Sequence, residues 1–254
     1  MTETQRPRNG LLPVLAFCGF LLAWELAAST GMVSATFFPP PTRIWSSLVD
    51  ITGSGELPAA TGITLLRFAV GLVSGSITGA LLGLTMGWWQ PLRSLLDPFV
   101  AAVYPMPKIA IFPLLMIIFG LGEGSKFVAI ALAAFFPMLI TSLVGVRQIN
   151  KVYFEVGSNY GARGVRVLTH ILLPGSLPSI MAGLRLSTNS AFIITISVEL
   201  VAARSGLGVL LWFGWETFRV AELYAVLVVI ALLGILFNQL MERVTAAVVP
   251  WMGE

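Results

Sequence analysis

Long apolar runs alternate with short polar breaks along the chain. Residues 11–28, 68–89, 95–119, 127–146, 180–201 and 223–241 are each predominantly apolar. Each approaches the ~20 residues that an α-helix needs to cross a bilayer core. Runs apolar on every side predict membrane-spanning helices, whereas a surface helix of a soluble fold carries a single stripe. The expected fold is all-α: a polytopic membrane protein, one domain over residues 1–254, with six transmembrane helices. Residues 147–179, between the fourth and fifth runs, form a polar, basic island.

Several runs carry marks of their own. The first is interrupted near its far end by Glu25 and is followed by no small-x-small cleavage site, so an uncleaved span is expected. Gly31 to Thr61 is the longest segment outside a span. Pro39-Pro40-Pro41 cannot lie inside a helix. Behind them Ile44, Trp45, Leu48, Val49 and Ile51 predict a short amphipathic helix on the membrane surface, closed by Gly53 and Gly55. In the second run Gly71, Gly75, Gly79, Gly83 and Gly87 recur every fourth residue. Such a small-residue ridge lets another helix approach closely, but the partner is not readable. The third run contains Pro98, Pro105, Pro107 and Pro113, with Lys108 near its middle. Prolines free backbone carbonyls, so a broken helix is expected around Tyr104 to Lys108. A lysine there costs about 2.5–3.5 kcal/mol on insertion scales, so it should face protein or a water-filled route. It either lines a path or is tied to an acid or to carbonyls. Gly120 to Lys126, GLGEGSK, is no phosphate loop, because Ser125 precedes Lys126 and Phe127 follows it. It reads as a turn between spans.

Composition agrees with a membrane protein: 57% hydrophobic, 11% charged, mean hydropathy +0.90. The net charge of +3 comes without a Lys/Arg block or a stacking-aromatic basic patch, which argues against nucleic-acid binding. One cysteine, Cys18, makes no internal disulfide and no metal cage. One histidine, His170, leaves no His-based catalytic or metal set. No catalytic residue, metal ligand or cofactor site is therefore expected. With the amino terminus in the cytoplasm, Arg6, Arg8, Arg93, Arg147, Lys151, Arg163, Arg166, Arg185 and Arg243 lie inside. Arg43, Arg67, Lys126, Arg204 and Arg219 then lie outside. Nine against five favours this orientation, with both termini and the polar island in the cytoplasm.

Within the island, Asn150 to Tyr160 and Val165 to Leu172 are each long enough for a short helix, with Gly161 and Gly164 between them. Val165, Leu168, Ile171 and Leu172 should form one apolar face, and Pro174 should stop the second helix. Glu155 is followed six residues later by Gly161, and Ile171, Leu173 and Pro174 complete an E-x5-G-x9-I-x-L-P register.

This register resembles the "EAA" loop of permease subunits in ATP-binding-cassette importers. The chain is similar to the binding-protein-dependent permease family, especially its nitrate/sulfonate/taurine branch. That branch also carries a P-x-P-K-x-A-x-x-P-L segment, here Pro105 to Leu114, then F-G-x-G-E-x-S-K, here Phe119 to Lys126. A later S-G-L-G is Ser205 to Gly208. One departure is that the two alanines after the glutamate are Val156 and Gly157. The resemblance implies a type I importer permease with a cytoplasmic coupling helix pair. It implies Glu155, Gly161, Ile171, Leu173 and Pro174 as the ATPase-coupling residues. Implied partners are a cytoplasmic ATPase dimer that uses the ATP, a periplasmic or lipid-anchored solute-binding protein, and a second permease copy. The implied location is the bacterial inner membrane, and the branch handles small anions such as sulfonates and nitrate, and also uncharged precursors. Lys108, Asn189, Ser190 and Glu199 are candidate pathway residues. Packing hydrogen bonds are the alternative for Asn189 and Ser190, and pairing to an arginine for Glu199. The competing function is a self-contained secondary transporter or channel, which would prefer coupling carboxylates or histidines in mid-span.

Overall fold

A computed structural model describes residues 11–252, so Arg6 and Arg8, counted above on the cytoplasmic side, lie outside the described residues. Among the described residues there is no strand, and five helices are long and apolar enough to cross a membrane. A bent pair makes a sixth if it crosses as one span. The chain forms two compact units. One comprises residues up to Pro58 with Leu210–Val229, the other Ala59–Val209 and Ile230 onward.

In the first unit, α1 (Leu11–Ser29) exposes apolar side chains around its circumference, among them Leu15, Phe17, Leu22 and Leu26. Glu25, the acid that interrupts this run, has a local task. Its carboxylate accepts from the backbone N–H and the hydroxyl of Thr42, at 3.0 and 2.8 Å. It thereby satisfies the free first turn of α2 (Pro41–Gly53), whose proline start needs no N–H of its own. In α2 Ile44 and Ile51 are buried, seven residues apart, while Trp45 and Val49 are exposed.

In the second unit, α3 (Glu56–Trp88) packs its glycine ridge on α6 (Glu123–Gln148). A Cβ at Gly79 would lie 2.5 Å from the Phe135 carbonyl oxygen, and one at Gly87 2.6 Å from Val146 Cβ. At Gly75 and Gly83 it would fall on the carbonyls of Ala131 and Leu139. The partner of the ridge is thus a helix of the same chain. Beyond it runs α9 (Leu173–Ala202) against α6. Ser187 Oγ donates to the Ala134 carbonyl at 2.7 Å, a polar tie inside an apolar contact. Phe68, Phe112, Ile130, Phe192 and Val198 share this core, and Phe237 stacks on Phe68 at 4.4 Å.

The third apolar run is broken. Helices α4 (Gln90–Val103) and α5 (Lys108–Phe119) meet at 103° across Tyr104–Pro107. In GLGEGSK only Gly120 to Gly122 form the turn, with Gly120 at φ +80°, and Glu123 already begins α6.

Three expectations need correction. First, α3 begins at Glu56, a dozen residues before the predicted span, and buries Leu57 and Ala60 on the way. Second, Pro174 does not stop a helix. After α7 (Lys151–Asn159) and the short α8 (Val165–Val167), residues Leu168–Leu172 form a π-turn that runs directly into α9. Leu173 N–H donates to Leu168 O, five residues back. The wider turn accommodates Pro174, which has no N–H to give an α-type bond. Third, residues 202–222, left between the fifth and sixth predicted spans, contain a further helix, α10 (Leu207–Glu216), after which α11 (Val220–Val248) follows.

Candidate functional site

The polar island is built as two short helices around a glycine turn. Asn150 Oδ1 accepts from Val152 N–H at 3.0 Å and caps α7. At the other end Gly161 adopts φ +75° and Gly164 φ +54°, left-handed conformations that glycine takes without strain. Ala162 N–H returns to Gly157 O at 2.8 Å and closes the turn. The inner side is pinned. Val167 and Leu172 are buried with Leu84 of α3 and Val146 of α6, and Phe154, Ala162 and Ile171 pack against them. The predicted apolar face is therefore rotated. Val165 and Leu168 are exposed, at 72% and 42%, while Val167 takes the inward place, because the π-turn shifts the helical register.

Of the residues implied for coupling, Glu155 and Gly161 are exposed, Ile171 is half-buried, and Leu173 and Pro174 are exposed at the start of α9. Gly157 stands where the family has alanine, and a Cβ there would lie 2.5 Å from Ile171 Cδ1. The outward surface combines Val152, Tyr153, Val156, Val165 and an 87%-exposed Tyr160. Lys151, Arg163 and Arg166 are exposed beside them. A cleft of ≈ 680 Å³ runs between α7, the π-turn and Trp251.

A second place of interest is the break between α4 and α5. Lys108 Nζ donates to the carbonyls of Val103, Tyr104 and Met106 at 3.1, 2.8 and 2.9 Å. It also sits 4.7 Å from the centre of the Phe136 ring. The ammonium thus caps the carbonyls that the prolines leave free, and all three of its N–H groups are engaged. A cleft of ≈ 410 Å³ opens here, lined by Tyr104, Lys108, Phe136, Ser190 and Ile193 among others. Asn189 is exposed on the adjoining turn of α9, and its side chain has no hydrogen-bond partner among the described residues. Lys108 and Ser190 are therefore brought together.

Glu199 does not line that cleft. It is 1% exposed and accepts from Arg67 Nη1 at 2.8 Å, Thr64 Oγ1 at 2.9 Å and Gly208 N–H at 3.0 Å. Arg67 is itself 2% exposed and reaches Glu123 through Nε and Nη2, at 2.6 and 2.7 Å. Its Nη1 also donates to the Ser205 carbonyl at 2.5 Å. Lys126 Nζ adds a contact to Glu123 at 3.2 Å. Two cations and two carboxylates so form a neutral cluster, buried except at the half-exposed Glu123, that ties α3, α6 and α9 to the segment after α9. The S-G-L-G segment wraps the carboxylate. Gly206 is at φ +120°, a Cβ there would overlap the Glu199 carboxylate, and one at Gly208 would lie 2.6 Å from Glu199 Cβ. Sequence reasoning missed Arg67 and Thr64. The available signal was an arginine and a glutamate, each inside an otherwise apolar helix, where an unpaired charge is costly.

Residues 75–254 match the family model described as binding-protein-dependent transport system inner membrane component. The taurine transport system permease protein TauC of Escherichia coli is 31% identical, covering 97% of this chain and 92% of the relative. A putative aliphatic sulfonates transport permease protein, SsuC of Bacillus subtilis, is 31% identical over 94% of this chain and 88% of the relative. The formylaminopyrimidine transport permease protein ThiX of Halalkalibacterium halodurans is 28% identical over 97% of this chain and 98% of that protein. Among solved structures, a chain of the inward-facing MetNI methionine ABC transporter matches with TM-score 0.59 and 20% identity. That match covers 81% of this chain and 94% of the other, and it supports the fold. With the family model spanning well over half its length, the chain belongs to the binding-protein-dependent transport system inner membrane component family.

Proposed function

We propose that this chain is the permease subunit of an ATP-driven importer for a small organic oxyanion, a sulfonate being the class that its TauC and SsuC relatives suggest. The observation that carries this reading is the α7–α8 turn, outwardly apolar and basic, inwardly anchored to α3 and α6, in a chain of this family. ATP is used by a separate ATPase subunit that grips this turn, and a solute-binding protein delivers the solute from the opposite side. A second permease copy completes the channel. The protein resides in the bacterial inner membrane, with both termini and the turn in the cytoplasm.

Glu155, Gly161, Ile171, Leu173 and Pro174 form the coupling unit in this reading. A turn pinned on its inner side transmits a rigid displacement, where a loose one would absorb it. The π-turn makes the unit continuous with α9, so a push on the turn reaches a spanning helix directly. Lys108, Ser190 and Asn189 border the solute path. Lys108 there offers its positive charge rather than a free N–H, since its donors are occupied. Glu199 is assigned to the buried cluster instead.

The test uses the chain purified with its ATPase. A Cβ at Gly161 meets no other atom of this chain, so Gly161→Trp acts through the left-handed backbone, where a non-glycine residue costs about 1–3 kcal/mol, and through the bulk it presents to the ATPase. It should weaken the complex at least several-fold while the permease stays folded. A complex as stable as wild type would sink the coupling assignment.

A further inference from the structure

Arg43 and Arg219, far apart in sequence, line one cleft of ≈ 290 Å³ in the first unit. Arg43 extends from the first turn of α2, and Arg219 from the turn before α11. Thr36, Ser47 and Glu222 complete the polar lining. Among the described residues, the Arg43 guanidinium and the hydroxyls of Thr36 and Ser47 have no hydrogen-bond partner. Arg219 has only Glu222, at 3.4 Å, and a ring contact to Phe213. The cleft thus presents two guanidinium groups and two hydroxyls against one carboxylate, with most donors uncommitted.

The backbone explains how Arg219 reaches the cleft. Phe218, immediately before it, is at φ +55°, and its N–H donates to the Trp215 carbonyl at 3.2 Å. This is a left-handed turn of the kind that ends a helix, here α10, and it delivers Arg219 to the cleft ahead of α11.

We propose that the Arg43–Arg219 cleft binds a single carboxylate or sulfonate group. Guanidinium forks match the planar or tripodal oxygens of such groups, with hydroxyls supplying further donors. At ≈ 290 Å³ the cleft has room for a small oxyanion. In the proposed orientation the cleft faces the side from which solute arrives, so the group belongs either to a free solute anion or to an acidic side chain of the delivering protein. This part rests on the proposed function, whereas oxyanion binding itself does not.

The experiment uses the full chain in nanodiscs of neutral lipid, with the Arg43→Gln/Arg219→Gln double variant as comparison. One arm titrates ethanesulfonate and acetate by calorimetry. The other measures binding of a solute-binding protein of the sulfonate-transport class, at low and high salt. Saturable anion binding that weakens at least about tenfold in the double variant supports a free solute anion. Absence of free-anion binding, with salt-sensitive docking that falls by a similar factor, supports a protein carboxylate. If neither measurement changes in the double variant, or if the variant loses only co-purifying phospholipid, the proposal is overturned. Neither arginine lies in the α7–α8 turn, so the ATPase complex is measured in the same samples. A retained complex with both arms unchanged overturns the cleft alone, and a lost complex in wild type overturns the importer reading.

Discussion

Glu199 has no water to fall back on. Its side chain is fully buried, and Arg67 is the cation that faces it. Removing one member of such a pair leaves an uncompensated buried charge and costs about 3–5 kcal/mol, whereas replacing both with apolar groups of similar volume is often near neutral. Arg67→Met should therefore destabilise the purified protein by about that amount, and Arg67→Met/Glu199→Met should recover much of it. Glu123→Gln, at a half-exposed carboxylate, should cost far less. Thermal unfolding in detergent ranks the three, and a double variant weaker than Arg67→Met would show that the pair does not act as a unit. Pairing of Glu199 to an arginine was one reading the residues allowed, but which arginine was not legible, because Arg67 lies 132 residues away. Pairwise burial depends on which helix ends meet. Gly157 illustrates the converse. Its departure from alanine was visible in the sequence, but the Ile171 methyl lying over it appears only when the turn is folded.

At the scale of elements, the periodicity of the spans was legible and so was the small-residue ridge, since both follow from helical repeat and bilayer thickness. The ridge named a close contact without naming the other helix. Because α6 supplies backbone carbonyls to it, no side-chain rotamer change makes room. Gly79→Leu should push α3 off α6 and destabilise by about 1–3 kcal/mol or more, while Ile77→Leu, an exposed position on the same helix, should be neutral. Equal unfolding temperatures for the two variants would show that the ridge tolerates separation. The break at Tyr104–Pro107 was also foreseeable from its prolines. Capping of that break by Lys108 was one of two readings the residues allowed, and the geometry now supplies its three carbonyls. What misled was Pro174, taken as a helix stop. Proline removes one N–H, and a single wider turn is enough to absorb that loss without ending the helix.

For the whole molecule, orientation rests on the count of Lys and Arg, nine on the proposed cytoplasmic side against five outside. Acids contribute little to that bias, so the pairing of Arg67 and Lys126 with Glu123 and Glu199 leaves the count as it stands. Labelling tests the orientation directly. Cys18 is the chain's one cysteine, so Cys18→Ala gives a clean background for single cysteines at Tyr160 and Phe218, 87% and 74% exposed. In spheroplasts a membrane-impermeant maleimide should modify Phe218→Cys and spare Tyr160→Cys, and inverted vesicles should reverse the pattern. The reverse result would place the α7–α8 turn outside, beyond reach of any ATP-driven partner. It would leave the Arg43–Arg219 cleft facing the cytoplasm, where no delivering protein could reach it. The two proposed interfaces are thus tested in one experiment, Tyr160→Cys reporting the turn and Phe218→Cys the cleft.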